Sequence, residues 1–467
     1  MLRFDNLSGD ASLDWIANVA PAILSAEWNG VARTLALAAG DLRDGYLKGA
    51  TRFAHGYFEK RGGKLEFRVL IEDTTRHKNT AEQMATGDPL GAMNTIARQI
   101  EPGANAFSTN NLEAVDAWGH ANFERAVTLD PDFSAAWLTW VETLAASGNS
   151  EKAIEVGARA LNQSGLRSPT DRERIKLLIA GLKHDENGRA AALQELSRAI
   201  PFDAAVLRGL ADAELVGRRF GEAERAYQDL IRLDPADPAP INTLGYVQAL
   251  SGQPDHARLS FEEYGKRPGQ AINALDSLGE AMFLNGKFAE AEKAFLQGYQ
   301  KCPTFLEGAD LWKAAHARWL GGDLSRAEQL AGRYFEARTR AGDPLVIWRR
   351  ANWLYETGRQ AQAVTLAMQA STSAPAPVAA LLNQQLAIWK DPAAPLHSQS
   401  LQKWKQLYER ANPVADGLER TFYASALSEA GEKDEARKLV TLWPLPQLGN
   451  SPLESLIYPA FLELKKQ

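Results

Sequence analysis

The chain has very little cysteine and no long apolar run. Its one cysteine, Cys302, excludes an internal disulfide framework and a cysteine-based zinc site. No apolar run reaches the ~20 residues that a membrane-spanning helix needs. An excess of positive charge is also missing, since the formal net charge of the 467 residues is −6. This balance argues against a nucleic-acid-binding protein, which usually carries a basic face.

Motifs that carry chemistry are missing as well. The sequence has no phosphate-binding glycine-rich loop, no HExxH motif, no nucleophile elbow and no EF-hand loop. Its seven histidines are scattered without metal-ligand spacing. Most carboxylates fall on predicted solvent faces, although spacing alone leaves a paired-acid site open. We therefore predict a protein that is not an enzyme and that has no cofactor and no metal.

A repeated unit is what the sequence does have. Two consecutive copies lie within Ala239–Pro303 and align with an offset of 34 residues. The matched positions are Leu244-Gly245 with Leu278-Gly279, Gly252 with Gly286, Ala257 with Ala291, and Phe261 with Phe295. A period of this size with two amphipathic helices per unit is typical of a helical-hairpin solenoid.

The matched positions have mechanical roles. A mid-helix glycine is unfavourable by about 1 kcal/mol against alanine, which indicates that a second helix passes close to Gly245 and Gly279. Gly252 and Gly286 suit the left-handed residue that ends a first helix. The pattern resembles the tetratricopeptide repeat family through Leu278, Gly279, Gly286, Ala291, Phe295 and Pro303. The resemblance implies a mainly α protein, an α-α superhelical solenoid whose first helices line a concave surface.

A loop glycine followed five residues later by alanine tracks the unit along the chain. It appears at Gly148, Gly252, Gly286, Gly322, Gly358 and Gly431, and Gly217 carries it with one extra residue. We predict about nine hairpins over residues 134–440. A capping segment over 441–467, with a helix at Ser451–Lys466, would cover the exposed end of the solenoid core.

Residues 1–107 follow a different pattern, typical of a small α/β or α+β sheet domain. Alternating apolar residues predict a hairpin of Arg52–Lys60 with Lys64–Ile71. The other predicted elements are a strand in MLRFDNLSGD, a helix near Ser12–Glu27, a candidate strand at Val31–Leu37, a helix at Asp41–Ala50, a strand at Thr80–Thr86 and a helix at Leu90–Ile100.

This N-terminal pattern also carries a resemblance. The stretches LRFDNLSGDASLDWI, ATRFAHGYFEKRGGKLEFRVLIED and PLGAMNTIARQI are similar to the TolB-like (FlgO-like) α/β domain. That domain commonly precedes tetratricopeptide arrays in bacteria, so the resemblance implies a bacterial protein. Residues 108–133 would then be a linker and a leading helix, Leu112 to Leu129.

The chain opens directly on a predicted strand. A domain rarely begins there, so we expect that a preceding segment, such as a targeting signal, is absent from this chain. On that expectation the protein belongs to the periplasm or cell envelope, and otherwise to the cytoplasm.

The first helices of the middle hairpins carry the candidate binding residues. Counting back from each loop glycine, these are Asn242, Tyr246, Asp276, Glu280, Phe283, Trp312, His316, Trp319, Trp348, Asn352 and Tyr355. Tyrosine and tryptophan are common anchors of protein interfaces, and asparagine can bind an extended peptide backbone. The same stripe suits packing between hairpins, so two interpretations stay open, a peptide-binding groove and a packed core.

These patterns together predict a scaffold that binds a protein or peptide on the concave face of the array. Two alternatives stay open. One is self-assembly into a filament or ring, through heterologous contacts or an unpaired sheet edge. The other is the sensory or regulatory half of a signalling system. The predicted partners are a protein, a peptide or another copy of the chain, with no nucleic acid and no direct membrane insertion.

Overall fold

The chain folds into a small sheet domain followed by helical hairpins. A computed structural model describes residues 1–31, 34–390, 401–410, 423–424, 426–428 and 430–441. The chain divides into two compact units, Met1–Leu210 and Ala211–Gln467. The first contains the sheet and the first hairpins, and the second contains further hairpins. The mainly α fold is confirmed, with a small N-terminal sheet and an array of tetratricopeptide-like hairpins.

The N-terminal sheet has four strands in the order β1-β2-β3-β4. They are β1 (Asp5–Asn6), β2 (Arg52–Arg61), β3 (Lys64–Asp73) and β4 (Lys78–Thr86). Strand β1 pairs parallel to β2, and the other two pairs are antiparallel. The predicted hairpin is confirmed, and its register sets Phe58 opposite Phe67, both fully buried. The opening strand is much shorter than predicted.

Three helices belong to this domain: α1 (Ile16–Trp28), α2 (Leu42–Leu47) and α3 (Pro89–Ile100). Helices α1 and α3 pack on each other, and the Trp28 indole donates to the carbonyl of Ala97 at 3.2 Å. The candidate strand at Val31–Leu37 is wrong for the part that is described, since residues 34–39 form no strand. There the Asn29 side chain bonds both main-chain groups of Ala36, which satisfies this backbone without a neighbouring strand.

The segment after the sheet domain is more structured than the predicted linker and single helix. Phe107 and Thr109 are buried, and the Phe107 ring meets Phe133 edge-on at 5.7 Å. The predicted helix is two helices, α4 (Leu112–Gly119) and α5 (Phe123–Leu129). A left-handed residue between them, Ala121, turns the chain. The hairpins therefore begin one hairpin earlier than predicted.

The later helices follow as first and second members of successive hairpins. They are α6 (Ser134–Ala146), α7 (Ser150–Leu161), α8 (Pro169–Lys183), α9 (Glu186–Ala199), α10 (Ala204–Val216), α11 (Phe220–Leu233), α12 (Ala239–Leu250), α13 (Pro254–Gly265), α14 (Ala271–Leu284), α15 (Phe288–Lys301), α16 (Ala309–Leu320), α17 (Leu324–Arg340), α18 (Val346–Glu356), α19 (Gln360–Ser371), α20 (Ala376–Lys390), α21 (Leu401–Arg410) and α22 (Lys433–Thr441). The predicted helix Ser451–Lys466 lies outside the described residues.

The repeat residues pack as their spacing predicts. A side-chain carbon added to Gly279 would lie 2.4 Å from the Phe295 ring, and Gly245 faces Phe261 at 2.6 Å in the same way. Both phenylalanines are almost completely buried. The two glycines therefore make room for an aromatic ring of the second helix.

The turn of the α10–α11 hairpin differs from the prediction. The residue with left-handed backbone there is Arg218, at φ +57°, whereas Gly217 still belongs to the helix end. Arg218 thus has the position that Gly252 has in the next hairpin, and Ala223 follows it at the regular distance of five residues.

Among the described helices, none is long and apolar enough to cross a bilayer.

Candidate functional site

The candidate site is the surface formed by helices α12, α14, α16 and α18, called here the first-helix face. These helices are the first members of four consecutive hairpins. Side chains on each reach the next: Lys313 of α16 bonds residues of α14, and Trp312 of α16 contacts Trp353 of α18. The predicted binding residues all lie on these four helices.

One half of the face is a charged network between hairpins. The Lys313 ammonium donates to Asp276 Oδ1 at 2.6 Å and to Glu280 Oε1 at 2.5 Å. The Tyr246 hydroxyl donates to Glu280 Oε2 at 2.5 Å. Glu280 therefore joins α12 to α16, although it lies on the helix between them.

Burial and charge together fix the protonation of this network. Burial lowers the pKa of Lys313, but the carboxylates of Glu280 and Asp276 outweigh it, and the net shift is upward. Burial also raises the pKa of Glu280, an effect that the ammonium of Lys313 opposes. The pKa of Tyr246 is well above its usual value, first through burial and then through the charge of Glu280. Tyr246 thus remains a hydrogen-bond donor at neutral pH.

Asp310 adds a third carboxyl group beside the two of this network. It is 1% exposed, and neither of its carboxylate oxygens has a hydrogen-bond partner in the part of the chain that the structure describes. Burial raises the pKa of Asp310 to about 8, and neighbouring Asp276 contributes in the same direction. The Asp310 carboxyl is therefore mostly protonated at neutral pH.

The other half of the face is an aromatic cluster. Trp312 stacks on Tyr334 at 5.2 Å between ring centroids and contacts Trp353 at 5.3 Å. The His316 ring stands edge-on to Trp312 and Trp353. Further along, Tyr355 of α18 and Trp389 of α20 stack almost parallel at 4.5 Å.

His316 and Glu356 form a buried pair within this cluster. The imidazole Nε2 lies 3.4 Å from Glu356 Oε2, and Nδ1 lies 3.0 Å from the carbonyl oxygen of Trp312. Burial lowers the pKa of His316 to about 4 and raises the pKa of Glu356 well above its usual value. Both shifts favour the neutral form of each group.

Burial divides the predicted binding residues into two sets. Four are half-buried and reach solvent, namely Asn242, Tyr246, Glu280 and Trp319. Seven are buried, namely Asp276, Phe283, Trp312, His316, Trp348, Asn352 and Tyr355. The expectation that the aromatic ladder is presented on a surface is therefore corrected for the buried members. Their rings pack against second helices and neighbouring first helices, which removes them from water.

Four predicted residues nevertheless carry unpaired polar atoms. Within the described residues, these atoms have no hydrogen-bond partner: Asn242 Oδ1, Trp312 Nε1, Trp348 Nε1 and Asn352 Oδ1. A buried polar group that lacks a partner is unfavourable by about 1–3 kcal/mol. The face therefore holds unused acceptors on α12 and α18 and unused donors on α16 and α18.

Sequence reasoning missed four residues of the face: Asp310, Lys313, Trp353 and Glu356. Lys313 follows Asp276 and Glu280 by about one repeat, which is the sequence signal that could have indicated its role. Trp353 and Glu356 lie on α18 one residue beyond the predicted positions Asn352 and Tyr355.

In the described part of the chain, no cluster of His, Cys, Asp and Glu side chains is arranged to hold a metal ion.

Comparisons with known proteins add little to this picture. No protein-family model matches the chain, and no curated protein matches it. Among solved structures, YrrB, described as a TPR protein with an unusual peptide-binding site, is 15% identical. That alignment covers 42% of this chain and 97% of YrrB, with a TM-score of 0.34.

Two other solved structures align over a similar length. The MamA protein is 16% identical over 37% of this chain and 93% of its own, with a TM-score of 0.31. A thermophilic TPR protein from Thermus thermophilus is 18% identical over 39% of this chain and 98% of its own, with a TM-score of 0.24. At such TM-scores the fold assignment rests on the hairpins described above.

Proposed function

We propose that the chain is a non-enzymatic scaffold that binds an extended peptide segment of a partner protein on the first-helix face. The observation that carries this proposal is that four of the unpaired polar atoms on that face belong to predicted binding residues, namely Asn242, Trp312, Trp348 and Asn352. A peptide backbone offers both of the groups that these atoms need. Its N–H groups donate to the asparagine oxygens, and its carbonyls accept from the indole nitrogens.

The spacing of the four atoms suits a short peptide. Asn242 lies on α12 and Asn352 on α18, three first helices further along the array. Packed helices lie about 8–10 Å apart, so the span is roughly 24–30 Å, which about eight or nine extended residues cover. Entry starts at the half-buried side chains Asn242 and Trp319. Binding at the buried atoms on α16 and α18 requires the first helices to move apart.

The test is peptide binding to matched variants. Peptides are selected from an immobilised random dodecapeptide array with the full chain, and their affinities are measured by fluorescence anisotropy. The double variant Asn242→Ala/Asn352→Ala is expected to bind at least ~10-fold more weakly, which is the effect of losing about 1.4 kcal/mol of interaction. Gln369→Ala, an exposed amide on the second helix α19, is the control and should bind normally.

Two results would count against the peptide proposal. Equal losses in the double variant and in Gln369→Ala would show that the first-helix face is not the binding surface. If the full chain selects no peptide at micromolar affinity, the proposed peptide-binding activity is contradicted.

Self-assembly remains the second candidate, because strand β4 has an open edge. Within the described residues it pairs only with β3, and an unpaired edge can accept a strand of another copy. Light scattering across a concentration series tests this candidate, since a monomer at every concentration contradicts it.

The TolB-like resemblance, the cell-envelope location and a regulatory role remain predictions.

A further inference from the structure

Two residues 190 positions apart in sequence meet in the second compact unit. The Arg218 guanidinium carbon lies 3.6 Å from the centre of the Tyr408 ring, in the position of a cation–π contact. Its Nη2 also donates to the main-chain oxygen of Tyr408 at 3.1 Å. One arginine thus holds both the ring and the backbone of a residue in helix α21.

Arg218 occupies an unusual backbone position for this contact. The other hairpin turns within residues 239–371 have a glycine at the equivalent place, with φ between +71° and +95°: Gly252, Gly286, Gly322 and Gly358. Left-handed backbone is unfavourable for a residue with a side chain, and glycine avoids that strain. An arginine at this turn therefore retains local strain, as Ala121 and His184 do in the α4–α5 and α8–α9 turns.

Helix α21 meets the array through a narrow stripe. Trp404 is 8% exposed and Tyr408 is half-buried, and these residues are one helical turn apart. The remaining eight residues of the helix are largely exposed, including Lys403, Lys405 and Gln406. Because eight of its ten residues are exposed, this helix has a small contact area with the rest of the chain, and we expect it to dissociate without unfolding the hairpins.

We infer that the Arg218 turn is a docking site for a helix with an aromatic residue at positions i and i+4, and that α21 occupies this site within the same chain. Ten residues separate the end of α20 at Lys390 from Leu401. A partner helix with the same stripe binds only by displacing α21. The inference goes beyond peptide binding on the first-helix face, since neither Arg218 nor α21 belongs to that face.

The test uses the full chain and a fluorescein-labelled synthetic peptide of residues 399–412. In Trp404→Ala/Tyr408→Ala the site is empty, and we expect it to bind this peptide at least ~10-fold more tightly than the wild type, whose own helix competes. Adding Arg218→Gly to the double variant should abolish that binding. Gln406→Ala, on the exposed side of α21, should behave as the wild type.

Arg218→Gly also separates docking from folding. Glycine suits the left-handed turn, so the thermal midpoint of this variant should equal or exceed that of the wild type. Amide hydrogen exchange within 401–410 should nevertheless become faster, because the contact with Tyr408 is lost. Arg218→Lys keeps the charge without the planar guanidinium and should give intermediate exchange.

Several outcomes would overturn the inference. One is equal peptide affinity in the wild type and Trp404→Ala/Tyr408→Ala, and another is no binding to the emptied site. Unchanged binding or exchange after Arg218→Gly would show that Arg218 does not hold the helix. A wild-type chain that dimerises, and that becomes monomeric in Tyr408→Ala, would place the α21 of a second copy in the site instead.

Discussion

Hairpins α12–α15 and hairpins α16–α19 solve the same packing problem with different residues. In the first pair, a glycine on the first helix faces a phenylalanine on the second, as in Gly245/Phe261 and Gly279/Phe295. At the equivalent places of the second pair, both residues are alanine, namely Ala315/Ala331 and Ala351/Ala367, and all four are buried. A phenylalanine therefore fills the space between the two helices in hairpins α12–α15, and other side chains fill it in hairpins α16–α19.

The first-helix face differs between the two halves in the same way. Equivalent positions carry Tyr246 and Glu280 in the first half and His316 and Asn352 in the second. A charged network fills the first half, and stacked rings fill the second. Helix α16 belongs to both, since Lys313 reaches back to α14 and Trp312 reaches forward to α18. The repeat sets where a side chain lies, and its chemistry sets what holds the helices together.

Loss of Lys313 should have the largest effect in the charged half. Lys313→Ala leaves Asp276 and Glu280 buried without their counter-charge, and breaking a buried ion pair in this way is expected to remove about 3–5 kcal/mol of unfolding free energy. Urea denaturation measures the loss. Lys293→Ala, on the exposed side of α15, is the control and should change stability by less than about 0.5 kcal/mol.

A rescue variant sharpens this prediction. Replacing Lys313, Asp276 and Glu280 together by Met, Leu and Met removes all three charges, and an apolar core of similar volume is often as stable as the ion pairs. Stability close to that of the wild type would support the charge argument. If the triple variant is as unstable as Lys313→Ala, packing rather than charge explains the loss.

Trp348 should have a comparable effect in the aromatic half. It is 1% exposed, so Trp348→Ala is expected to lose about 3–5 kcal/mol through the lost contacts and the cavity left behind. Trp348→Phe should lose only about 1 kcal/mol, because the indole nitrogen has no partner among the described residues. Asn242→Ala, at the same repeat position in the charged half, should lose less than about 1 kcal/mol. Equal losses for the two tryptophan variants would contradict this assignment.

Substitutions of the small residue on the first helix should lose stability for different reasons in the two halves. Gly279→Ala drives a methyl group into the Phe295 ring and is expected to lose about 1–3 kcal/mol. Ala315→Gly meets no such ring and should lose only the helix-propensity difference of about 1 kcal/mol. A smaller loss for Gly279→Ala in a Phe295→Leu background would confirm that the ring causes the clash. Thermal or urea unfolding of all variants checks the comparison.

Asp310 predicts a pH dependence of stability that arises in the charged half. Its folded pKa of about 8 lies above the ordinary value of 3.8, so the folded state holds a proton that the unfolded state releases. The stabilisation is present at low pH and is lost as the pH rises toward 8, with a slope of at most about 1.4 kcal/mol per pH unit. Asp310→Asn should make this slope smaller and should be more stable than the wild type at pH 8.

Urea midpoints at about pH 5 and about pH 8 test this prediction. Asp323→Asn is the control, because hydrogen bonds from the Arg326 N–H and the Arg318 side chain lower the pKa of Asp323, and it does not titrate in this range. Parallel pH profiles for the wild type and Asp310→Asn would show that Asp310 is ionised throughout.

Local patterns predicted most of the fold. Alternating residues predicted the β2–β3 hairpin, and the spacing of Gly252 and Gly286 predicted the turns of two consecutive hairpins. The prediction of a single helix over Leu112–Leu129 was wrong, because the chain turns at Ala121. The left-handed residue of this turn is an alanine, so the sequence carries no glycine at that position to indicate it. The α10–α11 turn was misplaced by one residue for the same reason, because Arg218 stands where glycine was expected.

The candidate site was predicted by position and not by exposure. The repeat placed Trp312, His316 and Trp348 correctly on first helices, but whether such side chains are buried depends on what the neighbouring helices bring against them. The role of Lys313 depends on carboxylates one repeat earlier, and that of Arg218 on a helix 190 residues away.

The order of residues was enough to establish the hairpin period, the small residues at close helix contacts and the N-terminal sheet. These features depend on neighbours within a few residues, or on one repeat, because backbone geometry and helix periodicity act locally. The pairing of Lys313, the buried contact between His316 and Glu356 and the position of α21 became visible only in the folded chain. Burial and charge pairing depend on distances in space between residues far apart in the chain, and the order of residues does not contain those distances.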